Sequence, residues 1–266
     1  MKILGILNIT TDSFSDGGKY LVPDNAILHA RALVRDGADI IDIGAASSNP
    51  ESGSVDTETE IARLAAVMPA LKAQGLSISI DTFSSEVQRW ALAQGIDYLN
   101  DIHGFGDGAL YPELAASNAK LIVMHMVQER GVAVVTSVPP SEVFDRVTQF
   151  FDARIAALTA AGIARDRLIL DPGMGQFLGS DAENSLILLR RLPELKQRYG
   201  LPLLISVSRK GFLRKLVNRP AAEAGAASLA AELFAEANGA DYIRTHAPAP
   251  LRDGLKVLKA IGKEGR

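Results

Sequence analysis

Eight short apolar runs punctuate the chain, at residues 3–7, 40–43, 78–80, 98–99, 121–124, 168–170, 203–207 and 242–243. They are often β-branched and mostly lack polar alternation, which is how strands buried on both faces read. Between most of them, apolar residues recur at helical spacing over 25–36, 57–73, 85–94, 141–161 and 222–238. Strand–helix alternation of this kind predicts a parallel sheet.

A weak internal repeat supports the same reading. Gly37-Ala38-Asp39-Ile40-Ile41-Asp42 is echoed by Gly95-Ile96-Asp97-Tyr98-Leu99-Asn100 and by Gly239-Ala240-Asp241-Tyr242-Ile243-Arg244. In each, a glycine is expected to end a helix just before a strand begins. Eight units in 266 residues fit a single-domain α/β fold spanning 1–266, a (β/α)8 TIM barrel. The alternative is an open doubly wound sheet, but no Gly-x-Gly-x-x-Gly follows the first run. Three non-periodic stretches, 10–23, 45–55 and 128–140, follow predicted strands. Barrels keep their active sites in such loops.

Composition narrows the chemistry. With no Cys, thiolate metal sites, disulfides and a Cys nucleophile are excluded. A net charge of −3 argues against a broad nucleic-acid footprint. No apolar run approaches the ~20 residues of a membrane span, and residues 3–7 are too short for a signal-peptide core. The alanine-rich stretch 221–240 is interrupted by Glu223, Glu232 and Glu236, which predicts an amphipathic helix. The expected location is cytoplasmic, with neither nucleic acid nor membrane as partner.

The predicted strands end in polar residues that would share one barrel mouth. They are Asn8, Asp81-Thr82, Asn100-Asp101, His125, Asp171-Pro172-Gly173, Ser206/Ser208-Arg209-Lys210 and Arg244-Thr245-His246. The second strand leads into Gly44 and the loop Ala45-Ala46-Ser47-Ser48-Asn49-Pro50. Structural roles compete for several of them. Asp101 suits a helix cap as well as a site, whereas Thr82 and Ser84 can relieve Asp81 of capping. Asp171 before Pro172-Gly173 can shape a turn, and His125 reads as a hydrogen-bonded core residue. Arg209-Lys210 alone would be a solvated pair. The coincidence across seven strands is what points to a site.

Asp81, Asp171, Asn100 and Lys210 suit a flat heterocycle with donors and acceptors on its rim. Arg244, His246, Asn8 and the Ser47-Ser48 loop suit a phosphate-like anion. The amide oxygen of Asn8 is a hard ligand fit for Mg²⁺. Together they read as departure of a phosphate group from a heterocyclic substrate, with a cationic cluster of Lys210, Arg244 and His246 facing the anion and the carboxylates opposite.

These residues lie in segments that resemble the dihydropteroate synthase family. The resemblance runs through nearly the whole chain and is most specific at Gly5-Ile6-Leu7-Asn8-Ile9-Thr10-Thr11-Asp12-Ser13-Phe14-Ser15-Asp16-Gly17-Gly18. Asn100-Asp101-Ile102, Leu170-Asp171-Pro172-Gly173-Met174-Gly175, Ser208-Arg209-Lys210 and Ile243-Arg244-Thr245-His246 add to it. The resemblance implies a (β/α)8 transferase of folate biosynthesis that joins 7,8-dihydropterin-6-ylmethyl diphosphate to para-aminobenzoate, releasing diphosphate and 7,8-dihydropteroate. By motif match, Asp81, Asn100, Asp171 and Lys210 hold the pterin. Asn8, Arg244 and His246 hold the diphosphate, with Mg²⁺ near Asn8. Phe14, Ser48 and Ser208 lie near para-aminobenzoate. Asp81, Asp171, Lys210, Arg244 and His246 are the implied catalytic residues, and a homodimer is expected.

The chain also departs from the family pattern. Where the second loop usually reads Glu-Ser-Thr-Arg-Pro-Gly, it has Ala46-Ser47-Ser48-Asn49-Pro50-Glu51. Thr11 replaces a usual Pro, Gln176-Phe177-Leu178 replaces Phe-Gly-Lys, and Gly211 stands where Ser is common. These positions cluster where para-aminobenzoate should enter, and the loop resembles that of sulfonamide-resistant family members. Reduced sulfonamide sensitivity is therefore expected. Two other readings compete with the synthase: a pterin-dependent methyltransferase with a corrinoid partner, and a catalytically idle pterin-binding protein.

Overall fold

A computed structural model describes residues 1–10, 21–46, 55–127 and 137–262. Eight strands form: β1 (Lys2–Asn8), β2 (Ile40–Gly44), β3 (Ile78–Asp81), β4 (Tyr98–Asp101), β5 (Lys120–Met124), β6 (Leu168–Asp171), β7 (Leu204–Ile205) and β8 (Tyr242–Thr245). Every predicted strand is present. All pairings between them are parallel, in the order β6-β5-β4-β3-β2-β1-β8-β7. A bridge between Leu170 and Leu203 brings the two ends together, with Leu170 N–H donating to Pro202 O at 2.9 Å. The result is a nearly closed (β/α)8 barrel.

Each strand is followed by one or two helices: α1 (Pro23–Arg35), α2 (Thr57–Lys72), α3 (Ser85–Ala93), α4 (Tyr111–Ala116), α5 (Val143–Ala160), α6 (Ala182–Arg190), α7 (Leu192–Tyr199), α8 (Gly211–Val217), α9 (Gly225–Ala237) and α10 (Pro248–Ile261). Two expectations need adjusting. The seventh run, 203–207, is extended only at Leu204–Ile205, because the chain turns after it, with Lys210 N–H bonding Val207 O. The stretch 221–240 is a 3-10 turn, Ala221–Glu223, followed by α9. Glu232 on α9 is buried rather than solvated.

The internal repeat has a physical explanation. Gly37, Gly95 and Gly239 all take positive φ, at 106°, 65° and 100°, and end α1, α3 and α9 as the sequence predicts. The Asp two residues later does a second job. Asp39 accepts the Ile3 N–H at 2.7 Å, Asp97 the Ile78 N–H at 2.9 Å and Asp241 the Leu203 N–H at 2.8 Å. Each carboxylate thus serves a backbone donor at or near the start of the neighbouring strand, before the ladder can.

Inside the barrel, Leu4, Ile40, Tyr98, Ile122, Ile169, Leu204 and Tyr242 pack into a buried apolar plug. A larger apolar layer, including Leu33, Leu64, Val87, Val147, Phe151 and Leu188, joins the strands to the helices. Above the plug, at the strands' C-terminal ends, the inward positions turn polar. Asn8, Gly44, Asp81 and Asn100 are aligned in one row across β1–β4. Among the described residues, no helix is long and apolar enough to cross a membrane.

Candidate active site

One cavity of ≈ 90 Å³ at this mouth is lined by Asp81, Asn100, Asp171, Lys210, Arg244 and Ser206, with Ile102, Met124, Met174 and Phe177 as apolar wall. The structure therefore brings together all four residues expected to hold the heterocycle. The wall is continuous with a small apolar cluster of Ile102, Met124 and Met126 against Phe83 and Phe177. Asn100 is buried, and its Oδ1 finds no partner among the described residues. A buried acceptor left open is costly, so it suits a ligand that brings a donor.

Asp171 is placed by a tight turn. Its Oδ1 accepts the Gly173 N–H at 2.8 Å, so it both shapes the turn and lines the cavity. Gly173 has φ of +73°, and a Cβ there would lie 2.4 Å from the His125 carbonyl oxygen. Only glycine allows this approach. Burial lifts the Asp171 carboxyl to about 6, against the Gly173 N–H and the nearby charges of Lys210 and Arg244. Lys210 is its counterpart: burial lowers it to about 8, against the pull of Asp171. Its Nζ lies 4.5 Å from the Phe177 ring centroid, a cation–π contact that steadies the ammonium.

Arg244 ties the site together. Its Nε donates to Asp42 Oδ2 at 2.5 Å and its Nη2 to Asp81 Oδ2 at 2.7 Å. Burial opposes its charge, but Asp42 and Asp81 outweigh burial and hold the guanidinium firmly protonated. Burial raises Asp81 above the usual carboxylate range, and Arg244 opposes the rise. Sequence reasoning missed Asp42. The signal was present as a lone acid inside the apolar run 40–43, where a buried charge demands a partner. The expected arrangement of cations opposite carboxylates is corrected: Arg244 sits among the carboxylates.

His246 and Ser208 meet at the other side of the mouth. His246 Nδ1 lies 3.0 Å from Ser208 Oγ, which also accepts the His246 N–H at 3.2 Å. Burial depresses the imidazole to about 3, and Arg209, Arg244, Lys210 and His29 push the same way. His246 is thus neutral near pH 7 in this structure, so the expected cationic cluster reduces to Lys210 and Arg244. Asn8 lies in the row beside Gly44, where a Cβ would stand 3.5 Å from Asn8 Oδ1 and 3.9 Å from Asp81 Oδ2. The expected Phe14 and Ser48, with Ser47 and Asn49, fall outside the described residues.

The competing structural roles are now resolved. Asp101 accepts the His103 N–H at 2.9 Å and the Phe105 N–H at 2.8 Å, so it holds the turn after β4. Ser84, not Asp81, caps α3. His125 is a core residue, with Nδ1 3.2 Å from Pro172 O and burial lowering it to about 4. A larger groove of ≈ 1000 Å³ lies to one side, lined by Phe83, Gln88, His103, Phe150 and Arg154. Of the strand-end carboxylates it touches only Asp101.

Known proteins resemble this chain in sequence and fold. A family profile described as "Pterin binding enzyme" matches residues 4–246. The type-2 dihydropteroate synthase of Escherichia coli is 58% identical over 264 residues, covering 99% of this chain and 97% of that one. The type-3 dihydropteroate synthase of Escherichia coli is 52% identical over 261 residues, covering 98% and 99%. Among solved structures, the Yersinia pestis dihydropteroate synthase in a sulfonamide drug complex has a TM-score of 0.91 at 31% identity, covering 99% of this chain and 94% of that one.

Proposed function

The chain belongs to the dihydropteroate synthase family, and from that premise we infer that it condenses 7,8-dihydropterin-6-ylmethyl diphosphate with para-aminobenzoate, releasing diphosphate and 7,8-dihydropteroate. The convergence of Asp81, Asn100, Asp171, Lys210 and Arg244 on one cavity carries this reading. Asp81, Asp171 and the open Asn100 oxygen would accept the pterin's ring N–H groups. Lys210 would donate to its ring oxygen.

The reaction then needs little acid–base chemistry. As the C–O bond to diphosphate breaks, positive charge develops on the methylene carbon and spreads into the pterin ring. Asp81 and Asp171, already fixed before reaction, would stabilise that charge. The Arg244 bonds to Asp42 and Asp81 use Nε and Nη2. The guanidinium's remaining N–H groups can serve the departing diphosphate without dissolving the ion pairs. His246 and Asn8 would complete the anion's contacts. The incoming aryl amine is neutral at pH 7, so attack needs no strong base. The apolar wall of Ile102, Met124, Met174 and Phe177 would help exclude water, which competes for the cation.

Mg²⁺ fits this donor set in one specific way. Among the described residues, no group of three or more acidic or histidine side chains could cage a metal. A single amide oxygen at Asn8 instead suits an ion held mostly by water and phosphate oxygens. Mg²⁺ bound there with the substrate would neutralise charge on the leaving diphosphate.

The same reading extends to two finer points. Reduced sulfonamide sensitivity is supported by the altered sequence 46–51. A homodimer is supported by the exposed apolar side chains of Leu216 on α8, Phe234 on α9 and Val257 and Ile261 on α10. The test of the activity itself is a turnover assay on the purified chain, reading diphosphate and dihydropteroate together. Stoichiometric formation of both, dependent on both substrates, is expected. Absence of turnover, or methyl transfer to a corrinoid without diphosphate release, would overturn the assignment.

A further inference from the structure

Lys210 reaches the cavity from a turn that its backbone does not favour. The Lys210 N–H bonds Val207 O at 3.1 Å, closing a four-residue turn after β7, and Arg209 stands third in it with φ of +57°. That position calls for glycine, because a Cβ at positive φ crowds the backbone. A bulkier residue persists there only when the surrounding structure over-determines it. Ser228, buried in α9, supplies the hold. Its Oγ donates to Ala224 O at 2.8 Å, which fixes the hydroxyl proton. A lone pair is left to accept the Arg209 N–H at 2.9 Å. The bond falls at the centre of the turn, and the side chains on either side of it both reach the site. Ser208 Oγ accepts the His246 N–H, and Lys210 lines the cavity.

The turn after β6 is fastened in the same way. The Gly175 N–H donates at 2.9 Å to Oγ of Ser185, a buried residue of α6. Gly175 has φ of +69°, and a Cβ on it would lie 3.4 Å from Lys210 Cδ. The lysine stem thus springs from one serine-fastened turn and packs against another. What differs is the residue at positive φ. Glycine takes that conformation freely, whereas Arg209 must be held in it.

We propose that Ser228 is a positioning residue for Lys210: by accepting the Arg209 N–H it holds the turn at positive φ and so aims the ammonium into the cavity. The proposal rests on the reading of Lys210 as a pterin contact. The aim matters because Nζ sits 4.5 Å from the Phe177 ring centroid and within the fields of Asp171, Asp81 and Arg244. A rotation at Arg209 is carried to Nζ along the whole length of the side chain.

Two measurements on the full chain separate the proposal from that reading. The first is the titration of Lys210 by ¹³C NMR of labelled lysine, assigned with Lys210→Arg. Burial holds the wild-type ammonium at about 8. Ser228→Ala is expected to return it toward the ordinary lysine value of about 10.4, because the side chain leaves its enclosed position. The second is calorimetric affinity for the pterin diphosphate without para-aminobenzoate, expected to fall about tenfold in Ser228→Ala. Arg209→Gly relieves the strain, so in that background Ser228→Ala is expected to change affinity at most about twofold and to leave the titration in place. Melting temperatures show which variants are folded. Should Ser228→Ala not fold, Ser228→Cys, of similar size but a weak acceptor, gives the same two readings. An unchanged Lys210 titration on losing the Ser228 hydroxyl, or an equal shift in the Arg209→Gly background, would overturn the proposal. If Lys210→Met itself leaves pterin affinity unchanged, the pterin reading of Lys210 fails instead, and the titration still decides whether Ser228 aims the side chain.

Discussion

Arg244 on β8 and Asp42 on β2 form a buried ion pair across 202 residues of sequence, with the Asp42 side chain fully enclosed. Neither residue is adjacent to the other's strand, since β1 lies between them. The pair therefore spans part of the barrel wall as well as the site.

Asp42→Ala should be costly for that reason. Removing one partner of a buried pair typically destabilises by about 3–5 kcal/mol. Arg244 keeps Asp81, so the lower end applies. For a chain of this size that corresponds to a drop of about 6–12 °C in melting temperature. Scanning fluorimetry measures it, and an unchanged transition would show the pair to be unimportant for the fold. The KM for the pterin diphosphate should also rise, because Arg244 loses one of its two anchors.

A second expectation concerns pH. Asp171 is raised to about 6 and Lys210 lowered to about 8. The carboxylate works ionised and the ammonium works charged. Falling pH protonates Asp81, raised by burial to about 7, and then Asp171, so kcat/KM should fall progressively below about 7. Rising pH removes the Lys210 proton, so it should drop again above about 8. The profile should be bell-shaped with a narrow maximum between about 7 and 8. Lys210→Arg, which stays charged, should lose the alkaline limb while binding pterin less well. A wild-type profile flat from pH 5.5 to 9, as order-of-magnitude bounds on these titrations, would count against both roles.

How far the sequence discloses this site depends on the range of each interaction. The strands were legible because parallel strands buried on both faces leave continuous apolar runs. The strand-end residues Asp81, Asn100, Asp171 and Lys210 were legible because a barrel sends such positions to one mouth. Asp42 was hidden because its meaning depends on Arg244, whose distance along the chain no local pattern encodes. Glu232 was misread for the same reason. It interrupts an apolar stretch as a solvated residue would, but elements distant along the chain bury it. Asp101 was left open between a cap and a site, and only its hydrogen bonds to His103 and Phe105 show it to be a turn-holder. The charge of His246 could not be read at all, because burial and neighbouring cations set it.

Gly173→Ala tests the turn that aims Asp171. The added methyl carbon would sit 2.4 Å from a backbone oxygen of His125, at φ of +73°. A backbone atom cannot swing aside as a side chain can, so β5 and β6 must part or the turn must rebuild. Either response withdraws the Gly173 N–H from Asp171. Losing that charge-assisted bond alone is worth about 1.5–3 kcal/mol, so pterin affinity should fall at least about tenfold and the melting temperature should drop. Calorimetric titration with a pterin ligand measures the first. Wild-type affinity in a folded Gly173→Ala chain would show that the turn does not position Asp171.

Sulfonamide discrimination is the expectation with the most direct chemical logic. A sulfonamide imitates para-aminobenzoate as far as the acidic group and then continues into an N-substituent that the substrate lacks. A site can therefore reject the drug without losing the substrate only by closing space beyond that acidic group. The sequence 46–51 supplies the altered material, with Ser48 and Asn49 where the family usually has Thr and Arg. Each tenfold of discrimination requires only about 1.4 kcal/mol, which one steric overlap can provide. The inhibition constant for sulfamethoxazole, divided by the KM for para-aminobenzoate, should be at least about a hundredfold higher than in a family member with the usual loop. Because the rejection is steric, sulfanilamide, which has no N-substituent, should be discriminated against far less than sulfamethoxazole. Replacing residues 46–51 with the usual Glu-Ser-Thr-Arg-Pro-Gly should lower the sulfamethoxazole ratio more than the sulfanilamide ratio. Equal ratios for the two drugs would place the discrimination somewhere other than the space beyond the acidic group.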